Sequence, residues 1–200
     1  MSRPTEAFVS NNLFELGLGY VVLARFRGGK AEAGGFLLDV HCLGVKNAFF
    51  AQTTEADYEK KVLDRVLPAD NRKAIDPPSA RKLVEGTVAY AMALGFPPHA
   101  DYKMATRVFG GTKAADSTET FTFGKNGKPF FVQSPSDSFQ KTLRILKQLR
   151  MQCGEDGFEF MGLGSEAEIS ELERAGIKIR QKVSAASENS EASPPTESQE

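Results

Sequence analysis

The chemically reactive side chains of this chain concentrate in two short segments. In residues 35–46 (GFLLDVHCLGVK) an aspartate, a histidine and a cysteine follow an apolar run, and residues 94–101 (LGFPPHAD) hold the other histidine. A thiol near an imidazole and a carboxylate is typical of thiol hydrolases and transferases, because the imidazole removes the thiol proton and the carboxylate orients the imidazole. The first hypothesis is therefore a catalytic group of Cys42, His99 and Asp101.

The alternating geometry of a β-strand limits this hypothesis. If residues 33–43 form one regular strand, His41 and Cys42 point to opposite faces, so His41 cannot activate the neighbouring thiol. Cys42 would then lie among apolar side chains, which raise the pKa of a thiol. Catalysis requires the strand to end at Cys42 and to present its sulfur at the following turn. The alternative is that Cys42 is a small buried core residue.

Asp39 and His41 would share one face of that strand, with Cβ atoms about 7 Å apart. A water molecule or a metal ion can bridge side chains at this separation, and Asp39 would then be a ligand or a general base. Alternatively, Asp39 faces a solvated cleft or pairs with a cation such as Lys46, because an unpaired buried carboxylate is costly. The chain lacks the close cysteine and histidine pairs that hold structural zinc. We predict no metal site and no cofactor.

Basic residues concentrate in the C-terminal half of the chain. Positions 120–152 contain six lysines and arginines and one acidic residue, Asp137, in a chain whose net charge is −1. Five of the six form a candidate binding surface: Lys125, Lys128, Lys141, Arg144 and Lys147. Such a surface is either a solvated face or a site for the phosphates of a nucleic acid or for an acidic protein. We favour a binding surface for a polyanion, because the acids that normally balance a solvated helix are missing here.

Local signals predict the elements that position these side chains. Residues 14–26 and 33–43 are apolar runs on either side of a Gly28-Gly29 turn, which predicts an antiparallel hairpin covered on both faces. The pair Asn126-Gly127 favours a type I′ turn and a further hairpin in the same sheet. Helices are predicted at 54–67, after the Asp76 cap up to Gly95, from 98 to about 109, from Ser136 or Asp137 to about Met151, and at 165–175.

This order of elements predicts one α+β domain over residues 1–183, with an antiparallel or mixed sheet covered by helices. Residues 184–200 contain four glutamates, several serines and prolines and no lysine or arginine, so we predict a disordered acidic tail. The chain has no membrane-spanning apolar run, no N-terminal signal pattern and only two, distant cysteines. We therefore expect a reduced cytoplasmic protein that does not enter a membrane.

Three segments together resemble an uncharacterised family of bacterial proteins. They are D-x-x-C-L-G-V-K at 39–46, L-G-F-x-P-H at 94–99 and F-G-x-x-G-K-P at 123–129. The resemblance covers about residues 8–160 and implies no catalytic residues. It implies that the following residues belong to one shared surface: Asp39, Cys42, Gly44, Lys46, His99 and the Lys128-Pro129 turn.

Overall fold

The sheet of this protein is antiparallel and built mainly from the first third of the chain. The computed structural model describes residues 5–162 and 164–177. The strand order is β4-β3-β2-β1-β5. These five strands are β1 (Thr5–Ser10), β2 (Leu18–Arg27), β3 (Lys30–Asp39), β4 (Gly44–Thr54) and β5 (Arg72–Ala74). With the helices below, they form one compact α+β domain, so the predicted fold class is confirmed.

The predicted N-terminal hairpin is confirmed, but its second strand is shorter than expected. β2 pairs with β3 from Arg27 opposite Lys30 to Leu18 opposite Asp39. The chain leaves the strand after Asp39 and forms a turn over residues 40–43. The side-chain alternation expected for residues 39–43 therefore does not apply, because these residues are not extended.

The helices lie between and after the strands. Their bounds are α1 (Leu13–Leu16), α2 (Glu55–Tyr58), α3 (Asp64–Val66), α4 (Pro77–Ala93), α5 (Tyr102–Ala105), α6 (Phe139–Cys153) and α7 (Glu166–Arg174). A π-helical turn, Glu59–Leu63, joins α2 to α3, and a 3₁₀ turn, Thr106–Phe109, extends α5. Shorter 3₁₀ turns are Ala69–Asn71 and Ala114–Asp116. No helix in the described ranges is long and apolar enough to cross a membrane.

Helix caps explain where most of these helices begin. The Thr54 side chain accepts a hydrogen bond from Asp57 N, and the Asp76 side chain accepts one from Ser79 N, as predicted. Ser165 and Glu168 form the predicted capping box of α7. Helix α6 differs from the prediction, because Ser138 is its cap, accepting from Lys141 N at 3.3 Å.

Both faces of the sheet are covered, as the apolar character of β2 and β3 requires. On one face, α4, α5 and the 3₁₀ turn after α5 enclose a cluster that we call the front core, which includes Leu23, Phe36, Leu83, Val108 and Phe109. On the other face, the α2–α3 helix encloses the back core, which includes Val22, Ala24, Phe26, Tyr58 and Leu63. Each fully buried large aliphatic side chain contributes about 1.5–3 kcal/mol to the stability of the fold.

A third cluster, the C-terminal core, lies under α6. Its members include Cys42, Leu94, Phe131, Leu146 and Leu149. The cluster includes side chains of a two-stranded parallel sheet, which consists of β6 (Phe130–Val132) and β7 (Glu159–Met161).

The Asn126-Gly127 turn forms, but the prediction that it joins the main sheet is wrong. Both residues have positive φ, 53° and 77°, as a type I′ turn requires. The N–H groups of Gly124 and Phe130, on either side of the turn, donate to Val40 O at 2.9 Å and His41 O at 3.1 Å. These bonds dock the turn onto the end of β3, and β6 then pairs with β7 instead of with the main sheet. The predicted tail, residues 184–200, lies outside the described residues.

Candidate functional site

Asp39 closes the end of β3 by accepting hydrogen bonds from the backbone of the following turn. Its Oδ1 accepts from Cys42 N at 2.8 Å and from His41 N at 3.1 Å. Burial raises the pKa of the Asp39 carboxyl, although the backbone N–H groups and the nearby Lys46 act in the opposite direction. The carboxylate is therefore used to shape the turn over residues 40–43, and this turn is the reason that an acid ends an apolar strand.

His41 is a buried structural residue. Its Nε2 lies 3.0 Å from Phe14 O, and because a carbonyl oxygen can only accept, Nε2 is the donor. The ring packs near the ring of Phe130, with centroids 6.3 Å apart, and fills the space beside Gly17. In the part of the chain that the structure describes, no group of three or more histidine, cysteine or acidic residues is arranged to hold a metal ion. Asp39 Oδ1 and His41 Nε2 both bond backbone groups, so the two side chains serve the fold.

The environment of Cys42 argues against the thiol hypothesis. The side chain has no exposed surface and belongs to the C-terminal core. Burial, together with the negative charge of Asp39, strongly raises the pKa of the thiol. A reactive cysteine needs the thiolate form and access to substrate, and Cys42 has neither. The strand ends before Cys42, as the thiol hypothesis required, but the turn directs the sulfur into the core.

The three segments that carry the family resemblance meet through backbone hydrogen bonds. His99 N donates to Val45 O at 3.0 Å, which joins the second segment to the first. The third segment joins the first through the bonds of Gly124 and Phe130 described above. Tyr90 O–H of α4 adds a bond of 3.3 Å to His41 O. Most residues common to the segments thus build the junction between the sheet and the C-terminal core.

A β-bulge brings Lys46 to the surface beside this junction. Leu38 pairs with Val45 and Leu37 pairs with Asn47, so Lys46 is an extra residue on β4 without a partner on β3. Bulges redirect a side chain away from the regular alternation of the strand. At the edge strand of the sheet, this bulge turns Lys46 into a surface cleft.

The cleft has a volume of about 450 Å³ and lies between the start of β4, the 96–99 loop and α6. Its polar lining consists of Lys46, His99, Lys141 and Arg144. Its apolar lining consists of Leu43, Val45, Phe96, Pro97 and Ile145. Two sequence predictions made on different grounds therefore meet at one place, since His99 belonged to the thiol hypothesis and Lys141 and Arg144 belonged to the basic helix.

The polar lining of the cleft is basic, and the acidic residue next to it, Asp137, is largely buried. Lys141 Nζ contacts Asp137 Oδ1 at 2.6 Å, and only 5% of the Asp137 side chain is exposed. Although burial alone would raise the pKa of Asp137, hydrogen bonds from Lys141 and from Ser134 N–H hold it below its ordinary value. Lys46 and Arg144 form no ion pair among the described residues. The charge of Arg144 is therefore available to a ligand. The charge of Lys46 is partly offset, because it also acts on the carboxylates of Asp39 and Asp137, and the charge of Lys141 is shared with Asp137.

His99 presents a donor to the cleft. Its Nδ1 accepts a hydrogen bond from Asp101 N at 3.2 Å, so in the neutral ring the proton is on Nε2. The Asp101 carboxylate lies 3.7 Å from the same Nδ1. The ring is therefore held by the Asp101 backbone N–H, and the Asp101 carboxylate does not accept the Nδ1–H bond that the thiol hypothesis assigned to it. In the cleft, however, the ring has an available N–H donor and no nucleophile that the structure places beside it.

The other predicted basic residues lie outside the cleft lining. Lys128 Nζ donates to Asp156 O at 2.8 Å, and Lys125 Nζ lies 4.5 Å from the centroid of the Phe130 ring. Lys147 is exposed on α6 and makes no ion pair among the described residues. The predicted hairpin–helix surface is therefore divided, and only its α6 part reaches the cleft. Phe96 lines the cleft but was not among the predicted site residues. Its position between the glycine that ends a helix and two prolines places an aromatic residue in a loop, which could have indicated it.

Comparison with known proteins adds no relative. No protein-family model matches this chain, and neither a curated protein nor a solved structure matches it. The resemblance of the three segments to a bacterial family therefore stays a prediction.

Proposed function

We propose that this protein binds nucleic acid in the cleft between β4, the 96–99 loop and α6. The observation that carries the proposal is that the β4 bulge brings Lys46 to the same cleft as Lys141 and Arg144 of α6, beside apolar lining residues. Basic side chains that serve only to keep a surface soluble would not be expected to gather in one cleft, because like charges in water repel one another and are better solvated when they are apart.

The chemistry of the cleft suits a phosphate attached to a flat apolar group. Lysine and arginine bind phosphate oxygens and release condensed counterions, which is the main source of affinity for nucleic acids. Arg144 adds a planar fork of donors that fits two phosphate oxygens at once. Phe96 is partly exposed at the cleft, and an aromatic ring beside cations is the arrangement on which unpaired bases stack.

We assign the protein to the bacterial cytoplasm as part of the same proposal. The resemblance of the three segments supports the bacterial origin. Both cysteines are free thiols, which fits a reducing compartment.

The test is binding of a fluorescent single-stranded oligonucleotide to the Lys46→Ala/Lys141→Ala/Arg144→Ala variant over a range of salt concentrations. If each cation neutralises one phosphate, the slope of log K against log salt should become about 2 units shallower, at about 0.7 per contact. A matched control removes three exposed lysines elsewhere on the described surface: Lys60→Ala/Lys73→Ala/Lys113→Ala. The control has the same net charge and should retain the wild-type slope.

Two results would contradict the proposal. One is an equal loss of affinity in both triple variants, which would mean that only total charge matters. The other is binding of an acidic polypeptide by a wild-type protein that retains no oligonucleotide at low salt. That outcome would assign the cleft to an acidic protein partner.

A further inference from the structure

A second basic hollow lies at the opposite end of β4. Its volume is about 930 Å³, and it is lined by the end of β2, the start of β3 and the end of β4. Its polar lining includes Arg25, Arg27, Lys30, Glu32, Gln52 and Thr54. Strand register explains this grouping, because Arg25 lies opposite Glu32 and Glu32 lies opposite Gln52.

The charges of the hollow favour an anion. Glu32 accepts from Gln52 Nε2 at 3.1 Å and from Arg25 at 2.5 Å, and these bonds keep its pKa below the ordinary value despite its partial burial. Glu32, the carboxylate among the lining residues, is therefore already hydrogen-bonded to Gln52 and Arg25. Arg27 and Lys30 are exposed and have no ion-pair partner among the described residues. The Nε of Arg25 is buried and has no hydrogen-bond partner among the residues that the structure describes, so the positive charge that reaches the surface of the hollow is that of Arg27 and Lys30.

The surface between the hollow and the cleft is also basic. Helix α5 and the 3₁₀ turn after it run beside β4, and they expose Lys103 and Arg107. The Arg107 guanidinium lies 5.2 Å from the centroid of the Phe50 ring of β4. Side chains alternate along a strand, so Phe50 and Gln52 lie on the same face. Arg107 thus extends the positive surface towards the hollow, and the exposed Asp101 is the acidic residue at the cleft end.

We infer that the cleft and the hollow are the two ends of one track along β4 that binds a stacked single strand of nucleic acid. This inference rests on the proposed function of the cleft. From Val45 to Thr54 the strand spans about 30 Å at 3.3 Å per residue. At 3.4 Å per stacked nucleotide, this length corresponds to about nine nucleotides. The exposed guanidinium of Arg107, which lies over the half-buried Phe50 ring, and the partly exposed Phe96 offer flat surfaces on which unpaired bases can stack, whereas a duplex keeps its base faces covered.

The test compares oligonucleotides of two lengths, about four and about twelve nucleotides, which fall short of and exceed the track. The variant is Arg27→Ala/Lys30→Ala, whose side chains are exposed and unpaired, so folding is unaffected. We expect its affinity for the longer oligonucleotide to fall about tenfold at low salt, with a salt slope about 1.4 units shallower. Its affinity for the shorter oligonucleotide should remain that of the wild type, since the cleft is intact.

The outcomes separate this inference from the proposed function. If the hollow variant binds the longer oligonucleotide like the wild type, while the cleft variant Lys46→Ala/Lys141→Ala/Arg144→Ala is weakened, the track is refuted and the cleft stands. If the cleft variant binds both lengths like the wild type, the proposed function fails. Equal affinity for a duplex of the longer length would overturn the single-strand assignment. Displacement of the longer oligonucleotide by polyglutamate at equal charge would assign the track to an acidic protein and overturn it as well.

Discussion

Replacement of Gly17 by alanine tests whether His41 is fixed in place by the fold. Gly17 has φ of +77°, and an added Cβ would overlap Nδ1 of the His41 ring. The ring cannot move aside easily, because His41 is 6% exposed and its Nε2 donates to Phe14 O. The positive φ costs alanine about 1–2 kcal/mol. Loss of the buried imidazole hydrogen bond adds about 1–3 kcal/mol, so Gly17→Ala should lower the free energy of unfolding by about 2–5 kcal/mol.

Urea denaturation of four proteins measures the two contributions separately. They are the wild type, Gly17→Ala, His41→Ala and the double variant. Without the imidazole the overlap disappears, so Gly17→Ala in the His41→Ala background should cost only the backbone part, about 1–2 kcal/mol. A matched control is Gly28→Ala, which has φ of +58° but no atom within 4 Å of the added Cβ. Additive effects of the two substitutions, within about 0.5 kcal/mol, would refute the assignment of His41 as a fixed packing partner.

Two further predictions concern the turn after β3. Since burial raises the pKa of Asp39 in the folded protein, the stability of the wild type relative to that of Asp39→Asn should fall as pH rises from the ordinary aspartate range through the folded pKa. Asp39→Asn keeps an acceptor for the turn and should remove this dependence in urea titrations at a series of pH values. Asp39→Ala should cost about 1–3 kcal/mol, because the turn N–H groups lose their acceptor; a stability difference between the wild type and Asp39→Asn that stays constant over this pH range would contradict the assignment. Iodoacetamide near neutral pH should modify the partly exposed Cys153 before the buried Cys42, and mass spectrometry that finds Cys42 modified first in the folded protein would contradict its burial.

The parts of the fold that follow from local signals are predictable from the sequence. The Gly28-Gly29 turn between two apolar runs specifies the β2–β3 hairpin, and the Asp76 cap specifies the start of α4. The Asn126-Gly127 turn shows what local signals leave open. Two residues decide the type of this turn, but its place in the fold depends on hydrogen bonds to Val40 and His41, more than 80 residues away in sequence. No local pattern contains that information.

The candidate site was predictable in part for the same reason. A charge count identifies Lys141 and Arg144, because they occur in a segment almost without acids. The resemblance of the three segments indicates Lys46 and His99 as members of one surface, but the direction of the Lys46 side chain depends on the bulge, which arises only from the pairing of β4 with β3. The reactive appearance of residues 39–42 was misleading, because a carboxylate, an imidazole and a thiol can also serve to shape and fill a turn. Composition alone does not distinguish these uses, whereas burial does.

The position of the cleft between two cores couples ligand binding to the cohesion of the domain. Val45 of the cleft packs in the front core, whereas Ile145 packs in the C-terminal core. If α6 separates from the sheet in a local opening, Lys141 and Arg144 leave while Lys46 remains on β4, and the cleft ceases to exist. A ligand that binds only the intact cleft must therefore oppose this opening by RT ln(1 + [L]/Kd). By this linkage, substitutions that loosen α6 weaken binding without touching the ligand, and the ligand in turn holds the two cores together.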